Sequence, residues 1–335
     1  MSSAPTQQEI ARDAAWLVQA LDARNGLVRL VRMNAESYRS ASFLDDRLMQ
    51  QPVEAHVVPW QTVRSAVALD ARKDARWIFH IGHVGSTLIA RLLGELPEVL
   101  SIREPRFLRD VAMLQNEDRN GHTFPAQAIF SRTFGPDEAA LVKATSFVSE
   151  IAPELLPAGE RALFMYAAPR SYIGSILAGE NSLKELSVLV PVRAQRVSGR
   201  AELPQPRTAA EAAAVAWACE MTSLEAAAEQ MPDRKIAWAD FDTMLADMPR
   251  ELGRLARFFD FAAPAATIER IAKGPLLRRY SKALEFDYSP ALRRDLIAEA
   301  SQAQRGEVDS ALAMLERAAE KSPLLARALD RSKES

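Results

Sequence analysis

The sequence predicts a doubly wound α/β fold, a parallel sheet of about five strands with helices on both faces and a helical C-terminal part. Three observations predict it. Short, mostly apolar runs recur from Arg76 onward: "RWIFHI", "EVLSI", "AALVKAT", "RALFMYA" and "RKIAWA". Strands buried on both faces read this way. Helical patterns separate the runs, the clearest being "STLIARLLGEL" and "PRTAAEAAAVAWACEMTSLEAAAEQ", and that alternation implies parallel pairing. Finally, the first run passes into its helix through "GHVGST", a turn composition suited to a strand-to-helix connection.

Residues 1–70 lack this rhythm. An amphipathic helix is expected first, with Ile10, Ala14, Leu17 and Leu21 on one face and Gly26 as its stop. A strand "GLVRLVRM" follows, then mixed segments "SFLDDRLMQ" and "PWQTVRSAVALD". We expect residues 1–70 to be an N-terminal extension packed on the core and residues 71–335 to form the α/β domain. Polar, basic "VRAQRVSGRAELPQPR" (Val192–Arg207) predicts a mobile surface loop or a lid. From Asp240 onward the pattern is helical, with "RELGRLARFFDF" its clearest amphipathic stretch, and Trp217 and Trp238 are spaced as core residues.

Composition narrows the function. The chain is 48% apolar and 26% charged with a net charge of −2, an ordinary globular profile with no basic field for nucleic acid. The start of the chain lacks a basic segment leading into an unbroken apolar one, and no apolar run suffices for a membrane span. A cytoplasmic location is expected. Cys219, the one cysteine, cannot form an internal disulfide and sits in an alanine-rich helical pattern, which reads as packing in a reducing compartment.

The turn after the first strand carries the chemistry. Gly82 and Gly85 allow close backbone approach, with His83 and Val84 between them. Ser86 and Thr87 open a helix whose first N–H groups are unpaired and carry partial positive charge, an arrangement that favours an anion or serves as a plain cap. "GHVGST" has neither the glycine spacing nor the lysine of the nucleotide-triphosphate loop, which weakens ATP or GTP hydrolysis. His80 and His83 straddle a strand end, with no further histidine or cysteine nearby to complete a zinc site.

"GHVGSTLIARLLGELPEVLSIREP" resembles the 5′-phosphosulfate loop region of the sulfotransferase superfamily, a loop, helix, proline and Glu-Pro after the next strand. "LVKAT" resembles the family strand that ends in lysine. "ALFMYAAPRSYIGSILAG" is similar to the strand and helix that bind the 3′-phosphate, and "RKIAWADFDTMLADMPRELGRLARFFDF" resembles a later strand-and-helix segment. These matches run in order from about Arg76 to Phe261.

The resemblance implies a three-layer P-loop-type sheet and transfer of a sulfuryl group from 3′-phosphoadenosine 5′-phosphosulfate to a hydroxyl or amine of a small-molecule or glycan-type acceptor. Gly82, His83, Val84, Gly85, Ser86 and Thr87 would hold the phosphosulfate, Arg170 and Ser175 the 3′-phosphate. Glu104 is the candidate base, with Asp110 behind it. His83 stands where the family places Lys or Arg, and Ala167 stands where the family places its 3′-phosphate arginine, leaving Arg170 to reach that group instead. Lys143 is a further anion contact. In "KGPLLRRYSKA" Lys273, Arg278, Arg279 and Lys282 form a basic segment of the kind that closes the nucleotide site, with Arg279 its representative. No metal is expected. Two alternatives stand beside this reading: an ATP-dependent kinase with magnesium on Asp240, and a non-catalytic nucleotide- or partner-binding module.

Overall fold

The computed structural model describes residues 3–67, 71–278 and 289–333. Five strands form one parallel sheet: β4 (Arg76–His80), β5 (Val99–Arg103), β6 (Ala139–Lys143), β7 (Arg161–Tyr166) and β8 (Lys235–Asp240), in the order β5-β6-β4-β7-β8. All but the outermost β8 are almost wholly buried, the physical reason their sequences are apolar throughout rather than alternating. The chain leaves β4 toward β5 on one side and returns to β7 on the other. Ligands of open α/β sheets bind at such a reversal, beyond the C-terminal strand ends.

Three antiparallel strands precede the sheet: β1 (Trp16–Asp22), β2 (Leu27–Arg32) and β3 (Ala55–Pro59). The expected first helix is therefore only its beginning, Gln7–Arg12, capped reciprocally by Thr6 and Glu9. Ile10, Ala14, Leu17 and Leu21 are all buried, but Leu17 and Leu21 lie on β1. Pairing with β2 across a turn at Gly26 overrides the helical spacing, because β1 is buried on both faces.

The second difference concerns Val192–Arg207. Its first six residues complete a long helix, Glu180–Val197, which continues through Pro191. The buried ion pair Arg193–Glu220 (2.9 Å) fixes that turn against the helix Ala209–Glu229. Residues 198–207 are irregular, and Ala201 among them is buried. The C-terminal part is helical as expected, including Met248–Phe258, Pro290–Ala303, Arg305–Ala319 and Pro323–Arg331. No helix among the described residues is long and apolar enough to cross a membrane.

Trp217 and Cys219 are fully buried in Ala209–Glu229, whereas Trp238 is half-buried, packed on Phe164 and covered by Arg331. Burial pushes the Cys219 thiol up to about 12, so the thiolate is scarce well above neutral pH. Native protein should therefore resist an aromatic disulfide reagent at about pH 8 and release one equivalent of thiol on denaturation. Rapid titration of the folded chain would contradict this packing.

Candidate functional site

β4 delivers the chain into the glycine turn, and His80 ties that turn down. Its Nε2–H donates to the Ala144 carbonyl at 2.8 Å, and its Nδ1 accepts the Gly82 N–H at 2.9 Å. A carbonyl only accepts, so the ring is the neutral Nε2–H tautomer with both nitrogens engaged. This leaves nothing on His80 for zinc, and no group of His, Cys, Asp and Glu among the described residues could hold a metal ion.

The turn itself is left-handed at three residues: Gly82 (φ 82°), His83 (φ 54°) and Gly85 (φ 62°). Gly85 caps the helix Ser86–Leu93 without a side-chain acceptor. The first bond of that helix is Ile89 N–H to the Gly85 carbonyl. Among the described residues, no acceptor takes up the N–H groups of Val84, Gly85, Ser86 or Thr87, nor do the hydroxyls of Ser86 and Thr87 have partners. Thr145 Oγ1 is likewise buried and unpartnered. All of these residues line one cavity of about 500 Å³ at the C-terminal ends of β4, β5 and β6.

Opposite the loop stands an ion pair. Lys143, at the end of β6, is 1% exposed and donates from Nζ to Glu104 Oε1 in a short contact. Glu104 follows β5 in a left-handed conformation (φ 53°), which costs a residue with a Cβ about 1–2 kcal/mol. Its N–H donates to the Lys143 carbonyl at 2.7 Å, so backbone and side chain fix the carboxylate together. Arg47 lies 3.8 Å from Glu104 Oε2, and His80 Nε2 3.9 Å from Oε1.

Arg47 and Phe43 reach the cavity through Arg103. That buried guanidinium donates to the carbonyls of Tyr38, Arg39 and Ala41, and the Leu44 N–H returns to the Arg103 carbonyl at 2.8 Å. The Arg47 guanidinium then stacks 3.4 Å from the Phe43 ring centroid. Glu185 and Leu189, on Glu180–Val197, supply the opposite wall. None of these four residues carries a local sequence signal, because distant parts of the chain place them.

The structure thus brings Gly82, His83, Val84, Gly85, Ser86, Thr87, Glu104 and Lys143 to one cavity. It places other candidates elsewhere. Arg170, half exposed at the start of the helix Pro169–Leu177, pairs with Asp309 at 2.7 Å. Ser175 donates to the Tyr172 carbonyl in its own helix. Ala167 is fully buried, and its carbonyl accepts from Trp217 Nε1. Asp110 Oδ2 accepts the Leu21 N–H, a structural contact. Asp240 accepts the Thr243 N–H as a helix cap, and burial raises its carboxyl above the ordinary range. Lys273 is exposed and paired with Glu269, whereas Arg279 and Lys282 lie outside the described residues.

No protein-family model matches the chain, and no curated protein matches it significantly. Two solved structures resemble it in fold. One is the sulfotransferase domain from the curacin biosynthetic pathway, 12% identical over 74% of this chain and 99% of that one, with a TM-score of 0.40. The other is mouse sulfotransferase SULT7A1 complexed with PAP, 12% identical over 81% of this chain and 92% of that one, with a TM-score of 0.40. Both are sulfotransferases.

Proposed function

We propose that this chain is a sulfotransferase-like enzyme that moves a sulfuryl group from 3′-phosphoadenosine 5′-phosphosulfate to a hydroxyl or amine of a small-molecule or glycan-type acceptor. One observation carries the reading: a helix start whose amides and two hydroxyls are unclaimed among the described residues shares a cavity with a fixed lysine–carboxylate pair. The donor set fits the phosphosulfate end, since amides, hydroxyls and one ammonium answer an oxyanion without a metal-binding cluster.

When bound, the donor supplies an electrophilic sulfur and a phosphate leaving group. The protein's part is alignment and charge balance. Ser86, Thr87 and the loop amides hold the sulfonate and the 5′-phosphate. Glu104 accepts the acceptor's proton as the new O–S or N–S bond forms and the S–O bond to phosphate breaks. Lys143 stands against Glu104 and offsets charge on the departing phosphate oxygen. Asp240, the metal residue of the kinase alternative, caps a helix and does not line this cavity.

The buried Ala167 and the Arg170–Asp309 pair favour a second reading, a non-catalytic nucleotide- or partner-binding module, which acceptor transfer distinguishes. A thermal-shift titration tests the donor site. Adenosine 3′,5′-bisphosphate at 100 times its dissociation constant should stabilise by about 2.7 kcal/mol, a shift of about 4 °C. Loss of that response in Arg170→Ala puts the 3′-phosphate at Pro169–Leu177, and an unchanged response puts it elsewhere. A shift with ATP and magnesium alone would overturn the sulfuryl reading.

A further inference from the structure

The helix Glu180–Val197 roofs the cavity, and its two halves are held differently. The C-terminal half is pinned from behind: Arg193, 2% exposed, donates to the fully buried Glu220, Arg196 meets Glu150 at 3.0 Å, and Val197 is buried. Pro191 lies inside the helix and has no N–H, so the helical bond to the Ser187 carbonyl is missing there. Before it, Leu186 is buried, whereas Glu180, Asn181, Lys184, Glu185, Ser187 and Val188 are exposed.

This outer half meets the glycine loop through the His83 ring. Nδ1 lies 3.4 Å from Ser182 Oγ and Nε2 3.7 Å from Glu185 Oε2, two residues almost one turn apart on the same face. His83 holds this position in a left-handed backbone conformation. One ring therefore joins the anion loop to the half of the roof that has the least burial of its own.

We infer that residues 180–190 form a lid over the glycine loop, hinged at Pro191 and latched by His83 to Ser182 and Glu185. The inference relies on the proposed donor site only for what the lid covers. Opening breaks the His83 contacts and leaves the Arg193–Glu220 anchor intact, so motion is confined to one side of the proline.

Ser182 and Glu185 from the roof meet His83, and the Tyr172 ring of Pro169–Leu177 meets it edge-on at 6.3 Å. Burial pushes the Tyr172 phenol up, with Arg193 and Glu220 acting on it from behind, so it stays neutral. Lys184 is turned toward Glu180 at 2.6 Å.

Hydrogen exchange of the full chain, compared between the wild type and two variants at one pH, tests the latch. Glu185→Gln and His83→Asn should each lower the protection of residues 180–190 by about twofold to fivefold, the range of a half-exposed ion pair, while residues 193–197 keep theirs. The two changes should not add, and melting temperatures should confirm that both variants fold. Unchanged protection in both, or equal loss on the two sides of Pro191, overturns the lid. Adenosine 3′,5′-bisphosphate should also protect residues 180–190. Failure of that protection alone, with the latch effects intact, overturns the donor site and not the latch.

Discussion

Gly85→Ala is expected to abolish binding of adenosine 3′,5′-bisphosphate and to destabilise the fold by about 3 kcal/mol. Two penalties combine at this residue. Its φ of 62° lies in the left-handed region, which costs a residue with a Cβ about 1–2 kcal/mol. The added carbon also falls within the ring of Phe241, itself buried at the start of the helix after β8. Overpacking of that kind costs about 1–3 kcal/mol. For a chain of this size the sum lowers the melting temperature by about 4 °C. Phe241→Leu in the same background should return part of the stability, because it relieves the clash and leaves the backbone strain. No recovery would show that the clash contributes nothing.

Lys143→Met should remove turnover and cost about 3 kcal/mol of stability. The ammonium is 1% exposed and its partner Glu104 13% exposed, so the variant strands a carboxylate in a nearly dry site. The figure sits at the low end for a broken buried pair because Arg47 remains 3.8 Å from Glu104. Glu104→Gln separates charge balance from proton acceptance. The amide still accepts from Lys143 but takes no proton, so turnover should fall by about 100-fold or more while bisphosphate binding persists. Equal loss of binding in both variants would make Glu104 a structural residue only.

The five strands of the parallel sheet were legible because burial on both faces makes them apolar without a break, and this arrangement depends little on distant residues. β1 was not, because Leu17 and Leu21 fit a helical stripe and a doubly buried strand equally well, and only pairing with β2 decides between them. Glycine, histidine and hydroxyl residues of the loop share one turn, so their meeting was legible locally. Arg47 and Phe43 were invisible as cavity residues because a guanidinium on β5, about 60 residues away, fixes their segment. Polar, basic composition with Pro204 and Pro206 made the end of a helix look like a loop, and the pair Arg193–Glu220 that holds it spans two helices. Arg170 read as free for a phosphate because its partner Asp309 lies 139 residues further on.

Calorimetric titration of adenosine 3′,5′-bisphosphate into the wild type, Lys143→Met and Glu104→Gln tests the central claim most directly. The account predicts one site of about micromolar affinity in the wild type, little change in Glu104→Gln, and at least about tenfold weakening in Lys143→Met. Absence of binding in the wild type, or one affinity across all three proteins, would contradict it.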